Sequence, residues 1–224
     1  MTIEVRARHR DQRLLTKGLR TQQKIMSAAR AAFGRDGYTR SSMATIAVEG
    51  GVSRATLYRY FQDKDEVFGA AVEEMFREFL TAIDPRERLD PDPWRQLYDA
   101  NLVYLRVHRT NDALLRAFNE ARGTHEQYES QWLSMRRRFR ETFLNALEQT
   151  FGLKRNRKLE LAVAAAQCCR EEFSLSYSFP NRQCDLQPSP TLEEGAEALA
   201  DVWYAALQPV LPPSSRFRPR PWAK

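Results

Sequence analysis

Residues 41–61 read SSMATIAVEGGVSRATLYRYF, and this segment carries the most structural information in the chain. It predicts two short helices joined by a tight turn, because Ile46 and Leu57 have the spacing to hold two helices together and Gly51 suits the backbone of a turn. Ser53 is placed to cap the second helix. Such a pair is typical of the helix-turn-helix, whose second helix enters the major groove of DNA.

The second helix, expected over Ser53–Phe61, has a basic and hydroxyl-rich face that suits DNA. Arg54 and Thr56 are candidates for contacts to base edges, whereas the other polar side chains are candidates for phosphate contacts. A generic helical hairpin without a DNA contact is the alternative for this segment. The predicted DNA-binding residues are Ser41, Ser42, Ser53, Arg54, Ala55, Thr56, Tyr58, Arg59, Tyr60 and Lys64.

Positive charge is concentrated in the N-terminal quarter of the chain. The 224 residues have a formal net charge of +6, but the first 60 residues hold twelve Lys or Arg and four Asp or Glu, a net charge of +8, and the remainder has −2. This asymmetry favours a polyanion as partner, although a solvated basic face would produce it too. Residues 1–20 are expected to be a flexible basic arm that lies along phosphates, enters the minor groove or remains an unbound tail.

The rest of the sequence predicts helices alone, because apolar residues recur every three or four positions and no alternation typical of a strand is visible. The predicted fold is therefore all-α, with about nine helices. After the arm we expect a helix-turn-helix domain over residues 21–66 and a ligand-binding and dimerisation domain over residues 67–208. Residues 209–224 are rich in Pro and Arg and are expected to be a disordered tail.

The helix-turn-helix segment resembles the TetR family of transcriptional regulators over about residues 21–75. The resemblance rests on Asp36-Gly37-Tyr38, Ser42-Met43, Ile46-Ala47, Gly51-Val52-Ser53, Thr56-Leu57-Tyr58-Arg59-Tyr60-Phe61 and Asp63-Lys64. Gly50 stands where alanine is usual, and it is expected to loosen the end of the first helix. The resemblance implies an all-helical homodimer with an N-terminal DNA-binding domain and a variable C-terminal ligand domain, and in most members a repressor that a small effector releases.

Two long helices near the C-terminus are apolar on more than one face. A helix needs one buried stripe for its own core, so the second stripe predicts a four-helix contact between two copies of the chain. The alternative is that these helices are central in the core of a monomer. The candidate interface residues are Leu161, Ala165, Cys168, Leu199 and Trp203.

Aromatic residues recur on successive helices of the second domain, which suits a lipophilic or aromatic effector. Each of them is also explained as ordinary core. The candidate pocket residues are Trp94, Tyr98, Phe118, Trp132, Phe139, Phe143, Phe173 and Tyr177. Polar residues on the same helices could orient such a ligand, namely Asn101, Asn119, Arg122, Gln167 and Glu172.

Other classes of protein are disfavoured by the sequence. No run of about 18 apolar residues is present for a membrane span, and no Gly-rich phosphate loop, nucleophile elbow or metal-ligand spacing is visible, so we predict neither an enzyme nor a cofactor or metal. Cys168 and Cys169 are expected to be buried, and three cysteines in all fit a cytoplasmic location. An activator, or a regulator controlled by a protein partner or a thiol switch at these cysteines or at Cys184, remains the alternative to an effector-released repressor.

Overall fold

The computed structural model describes residues 2–82, 92–178 and 190–209, with the side chains of residues 18–81, 92–149, 152–176 and 190–209. Nine helices and no strand occupy these residues, as the predicted all-α fold requires. They are α1 (Thr2–Arg40), α2 (Met43–Glu49), α3 (Arg54–Tyr58), α4 (Lys64–Ala82), α5 (Pro93–Thr110), α6 (Asp112–Arg122), α7 (Glu126–Phe151), α8 (Arg157–Ser178) and α9 (Leu192–Leu207). None of these helices combines the length and the apolar character needed to cross a bilayer. Of the predicted tail, only residue 209 lies within the described residues.

The first helix is longer than the sequence suggested. It begins at Thr2, so the segment expected to be a flexible basic arm is helical from residue 2 onwards. Polar residues all round a helix leave no periodic signal, yet most of those in this segment are good helix formers. The helical backbone is interrupted at Gly37, which has a φ of 78°. The predicted apolar stripe of α1 is buried, and it comprises Ile25, Ala28, Ala29, Ala32 and Phe33.

The chain divides into two compact units, each built from two stretches of sequence. Unit 1 comprises residues 1–75 and 113–128, and unit 2 comprises residues 76–112 and 129–224. The predicted boundary at residue 66 is therefore displaced into α4, and α6 joins unit 1. Aromatic packing explains this membership, because the Tyr128 ring lies 5.2 Å from the ring of Phe68 and 6.3 Å from the ring of Phe118.

Unit 1 has a close contact between α1 and α6. A Cβ atom at Gly34 would lie 2.9 Å from the Cβ of Ala113, so the two backbones approach to a distance that only glycine allows at this position. Glu120 at the other end of α6 accepts hydrogen bonds from the backbone N–H groups of Tyr38 (3.2 Å) and Thr39 (3.1 Å). α6 thus secures the end of α1, where the DNA-binding motif begins.

The core of unit 2 is formed by α5, α7, α8 and α9. It includes Trp94, Leu97, Leu144, Leu147, Leu159, Val163, Ala166, Ala200, Trp203, Tyr204 and Leu207. α5 begins with Asp92 as its N-cap and Pro93 in its first turn. Thr191 caps α9 in a reciprocal arrangement with Glu194.

Candidate nucleic-acid interface

The helix pair α2 and α3 is held by capping side chains at both N-termini. The Ser42 hydroxyl accepts a hydrogen bond from the Thr45 N–H (3.2 Å), and the Ser53 hydroxyl accepts one from the Thr56 N–H (3.0 Å). Gly51 between the helices has a φ of 57°, which is the left-handed backbone that a tight turn requires of glycine. The capping bonds fix the first turn of each helix, and the Val52 N–H donates to the Ala47 carbonyl at 3.0 Å across the turn between them.

Gly50, expected to loosen the end of α2, has a packing role. A Cβ atom at this position would lie 3.2 Å from the Cβ of Ala28 and 3.3 Å from the carbonyl oxygen of Ile46. The Gly50 N–H still donates to that carbonyl at 2.9 Å, so the helix end remains bonded. Glycine therefore permits the close approach of α2 to α1.

α3 presents nearly all of its polar side chains outward. Leu57 is fully buried beneath it, and Ile46 on α2 is fully buried as well. Arg54 and Tyr58 are exposed, whereas Thr56 is half-buried. The helix ends at Tyr58, three residues before the predicted end, with Arg59 as its C-cap. The exposed surface around this single turn consists of Ser53, Arg54, Ala55, Tyr58 and Arg59, with Thr56 at its edge.

Besides the capping serines and Thr56, three predicted DNA contacts are engaged in bonds within unit 1. Ser41 is only 4% exposed, and its hydroxyl donates to the Gly37 carbonyl at 2.6 Å, so the predicted phosphate contact through this hydroxyl is corrected. The Tyr60 hydroxyl donates to the Gly18 carbonyl at 3.3 Å. The Lys64 ammonium donates to the Tyr38 carbonyl at 3.1 Å and lies 4.1 Å from the centre of that ring.

The contact of Lys64 with Tyr38 is part of a polar cluster that the sequence did not reveal. The Asp65 carboxylate accepts hydrogen bonds from the hydroxyls of Tyr38 and Tyr128, the latter at 3.2 Å. Burial, together with the bond to Asp65, raises the pKa of Tyr38 to about 12, so the phenol stays protonated. Hydrogen bonds from Thr39 lower the pKa of Glu120 despite its partial burial. The cluster joins α1, α4 and the start of α7 within unit 1.

The positive charge near α3 is partly compensated. Arg35 makes ion pairs with Asp36 (3.0 Å) and Glu49 (2.7 Å), and these bonds raise its pKa. Arg54 and Arg59 are exposed, and the structure records no ion pair with described residues for either. Free guanidinium groups on α3 are therefore available to a polyanion.

The predicted pocket residues are dispersed. Trp94 and Tyr98 stack with ring centres 5.6 Å apart, and Phe143 lies 4.6 Å from Trp203 in the same core of unit 2. Phe118 belongs to unit 1, where its ring lies 6.3 Å from that of Tyr128. The Phe139 ring contacts Tyr104, and the Trp132 ring contacts Phe76. Phe173 is half-buried, and the side chain of Tyr177 lies outside the described residues.

The predicted interface residues fall into two groups. Leu199 (3% exposed) and Trp203 (1% exposed) are buried in the core of unit 2, so their assignment to an intersubunit surface is wrong. Their sequence spacing could not distinguish the two apolar faces of α9. Leu161 is 53% exposed, and Ala165 and Cys168 are also exposed on α8. Cys168 and Cys169 are both exposed, contrary to the expectation of burial, and Cys184 lies outside the described residues.

Comparison with known proteins agrees with this geometry. Residues 25–71 match the family model of the bacterial regulatory proteins, tetR family. The probable acrEF/envCD operon repressor of Escherichia coli K12 is 28% identical over 99 residues, which are 42% of this chain and 43% of that protein. The nucleoid occlusion factor SlmA of Haemophilus influenzae (strain PittGG) is 31% identical over 97 residues, 43% of this chain and 44% of that protein. The chain thus spans less than half the length of these curated relatives.

The fold extends further than the sequence likeness. A TetR-like transcriptional regulator from Rhodococcus sp. RHA1 superposes with a TM-score of 0.63 at 22% identity, over 84% of this chain and 95% of that one. The three proteins are named as an operon repressor, a nucleoid occlusion factor and a transcriptional regulator. Residues 25–71 are thus similar to the helix-turn-helix segment of the tetR family of bacterial regulatory proteins, and the fold resembles that of a TetR-like regulator.

Proposed function

We propose that this chain is a homodimeric repressor that binds a pseudo-palindromic DNA site and is released by a small lipophilic or aromatic effector. The observation that carries the proposal is the outward face of α3, where exposed Arg54 and Tyr58 flank Leu57, which is fully buried. A helix anchored in this way offers polar side chains to a groove without moving its backbone.

On this proposal α3 reads the major groove. Arg54 suits the O6 and N7 acceptors of guanine, and the Thr56 hydroxyl suits a neighbouring base edge. Tyr58 and Arg59 then contact phosphates and set the position of the helix. Two copies of α3 lie about 34–36 Å apart, or somewhat more, so that each half of the DNA site meets one subunit.

The dimer forms through α8 and α9 on this proposal. Leu161 on α8 is 53% exposed and Val202 on α9 is 42% exposed, and the small residue Ala165 is exposed about one turn after Leu161 on α8. Apolar side chains on the outer faces of two packed helices favour a contact with the same face of a second copy. This surface replaces the predicted one that included Leu199 and Trp203.

Release by an effector requires different affinities for two conformers. The effector must bind the conformer that is unsuited to DNA better than the DNA-binding conformer, because equal binding to both would change nothing. We expect the effector to bind among the aromatic residues of unit 2. The protein acts in the cytoplasm on this proposal, where it has access to DNA.

A thiol-controlled regulator is the second candidate, since Cys168 and Cys169 are exposed and the Cys168 sulfur lies 3.0 Å from the Arg136 guanidinium. Loss of DNA binding on mild peroxide treatment, abolished by Cys168→Ser, would favour this candidate over the effector.

Selection of bound fragments from genomic DNA tests the proposal. We expect fragments that share one mirrored sequence, protected on two successive major-groove faces, with an affinity that falls steeply as salt rises. The contradicting result is an affinity of the purified chain that does not depend on DNA sequence.

A further inference from the structure

Unit 2 contains an arginine that is buried without a counter-charge. Arg170 on α8 is 4% exposed, and its guanidinium carbon lies 3.8 Å from the ring centre of Phe139, 4.3 Å from that of Tyr104 and 5.2 Å from that of Trp203. Burial lowers the pKa of Arg170 to about 10, so the guanidinium is still charged at neutral pH. A buried cation is costly to maintain unless it is paired.

Among the described residues, no carboxylate forms an ion pair with Arg170, although the charge of Glu171 acts to raise its pKa. Burial raises the pKa of Tyr104 to about 12, so its phenol is neutral. Glu171 follows Arg170 in sequence, but its carboxylate pairs with Arg136 Nε at 2.8 Å and accepts a hydrogen bond from Gln167 at 2.8 Å. Among the described residues, Arg170 therefore has aromatic faces and the neutral Tyr104 hydroxyl as its partners.

Two donors in this aromatic cluster lack a hydrogen-bond partner among the described residues. They are Arg170 Nε and Trp203 Nε1, and both residues are more than nine-tenths buried. Buried donors are nearly always bonded, so each points to a group that completes the site.

We propose that unit 2 binds an amphipathic organic acid whose carboxylate is held by Arg170 and by the indole N–H of Trp203. This proposal rests on the function proposed above, and it names the chemical class of the effector. A carboxylate matches the geometry of a guanidinium and forms charge-assisted hydrogen bonds with it. The rings of Phe139, Phe143 and Trp203 suit the apolar body of the acid.

Direct binding to the full chain, in the absence of DNA, tests this site. The probes are 4-phenylbutyrate, decanoate and indole-3-acetate, each compared with its neutral primary amide by calorimetry and by the shift in Tm. We expect at least one acid to bind about tenfold or more tightly than its amide, since a hydrogen bond to a charged group contributes enough for that ratio.

Three variants identify the residues responsible. Arg170→Met removes the charge and abolishes the preference for acid over amide, and we expect this variant to fold because loss of an unpaired buried charge is neutral or stabilising. Trp203→Phe keeps a ring but removes the indole donor, so the preference decreases without disappearing. The matched control Arg137→Met, at an exposed position on α7, keeps the preference unchanged.

The inference is overturned if no probe binds, if each amide binds as well as its acid, or if Arg170→Met retains the preference. Addition of the bound acid to a complex with DNA tests the function separately. Binding of the acid without release of DNA would leave the acid site intact and contradict the proposed effector-controlled release.

Discussion

Arg54 and Leu57 illustrate how much two neighbouring side chains of one helical turn can differ in role. Leu57 is fully buried and fixes α3, whereas Arg54 is exposed and has no ion pair with described residues. The backbone beneath Arg54 is further fixed by the Ser53 cap. A positioned guanidinium loses less conformational entropy on binding than one on a mobile segment, and this favours base recognition.

Replacement of Arg54 or Thr56 by alanine tests base recognition. We expect each change to weaken binding to the selected DNA site by about 1–3 kcal/mol and to relax the preference for one base pair. Dissociation constants measured at fixed salt on the site and on its single-base variants provide the readout. Arg157→Ala, at an exposed position at the start of α8, is the matched control. If the affinity decreased equally for all DNA sequences, Arg54 and Thr56 would contact phosphates only.

His108 predicts a pH dependence of stability in the acid range. It is 4% exposed beside Phe79 and Tyr104, and burial lowers its pKa to about 4, an effect that Asp112 partly offsets. Below a pH of about 6.5 the unfolded chain binds a proton that the folded chain does not. The contribution of His108 to the free energy of unfolding is therefore fully present above that pH, and it is lost as the pH falls towards 4.

The expected loss of unfolding free energy between pH 7 and pH 5 is on the order of 2 kcal/mol. Urea unfolding at several pH values measures it. His108→Phe should flatten the dependence in this window, and His125→Gln, at a half-buried position in unit 1, serves as the control. An unchanged slope in His108→Phe would contradict the assignment.

At the level of elements, glycine has different roles in two places. The turn between α2 and α3 requires it, whereas the interior of α4 does not. Gly51 has a φ of 57°, which is costly for any other residue. Gly69 lies inside α4, and a Cβ atom there would meet nothing within 4 Å. The same substitution should therefore have opposite effects at the two positions.

We expect Gly51→Ala to destabilise the protein by about 1–2 kcal/mol and Gly69→Ala to stabilise it by about 0.5–1 kcal/mol. Thermal unfolding of both variants under one buffer condition checks the pair. Gly51→Ala should also weaken DNA binding, because the turn positions α3. Destabilisation by both changes would show that the space around Gly69 is not free.

At the level of the whole molecule, α8 and α9 have apolar residues on faces that the subunit core does not use. Leu159, Val163 and Ala166 of α8 are buried in unit 2, whereas Leu161 and Ala165 are exposed. Ala165→Arg would place a charge in the proposed contact between subunits, where it loses hydration without gaining a partner. We therefore expect this variant to be a monomer.

Light scattering at micromolar concentration measures the mass of the Ala165→Arg variant and of the unaltered chain. Ser134→Arg, at an exposed position on α7, is the matched control and should have the mass of the unaltered chain. A dimeric Ala165→Arg variant would exclude this face of α8, and a monomeric unaltered chain would exclude the homodimer.

Local features of the fold were predictable from the sequence. Ser42, Ser53 and Asp92 each cap the helix that follows, because a cap depends on side chains within three residues of one another. The outward face of α3 follows from the same short-range pattern. The length of α1 was missed, since its polar N-terminal half carries no hydrophobic period.

Features that depend on distant residues were not predictable. Trp203 was assigned to the subunit surface because periodicity identifies an apolar face but not its partner. The hydrogen bond of Lys64 to the Tyr38 carbonyl, and the bonds of Asp65 with Tyr38 and Tyr128, join residues 26 to 63 positions apart. The burial of Arg170 among three rings was missed for the same reason.

The assembly of unit 1 from two stretches of sequence limits how the DNA-reading module can be transplanted. A fragment that ends at residue 75 lacks the Phe118 and Tyr128 rings and the Glu120 carboxylate that accepts from Tyr38 and Thr39. If only the first 75 residues of this chain replaced those of another regulator, α1 of this chain would pack against the α6 of the recipient protein. To transfer DNA specificity to another regulator, a graft must carry residues 113–128 as well, or be confined to the surface residues of α3.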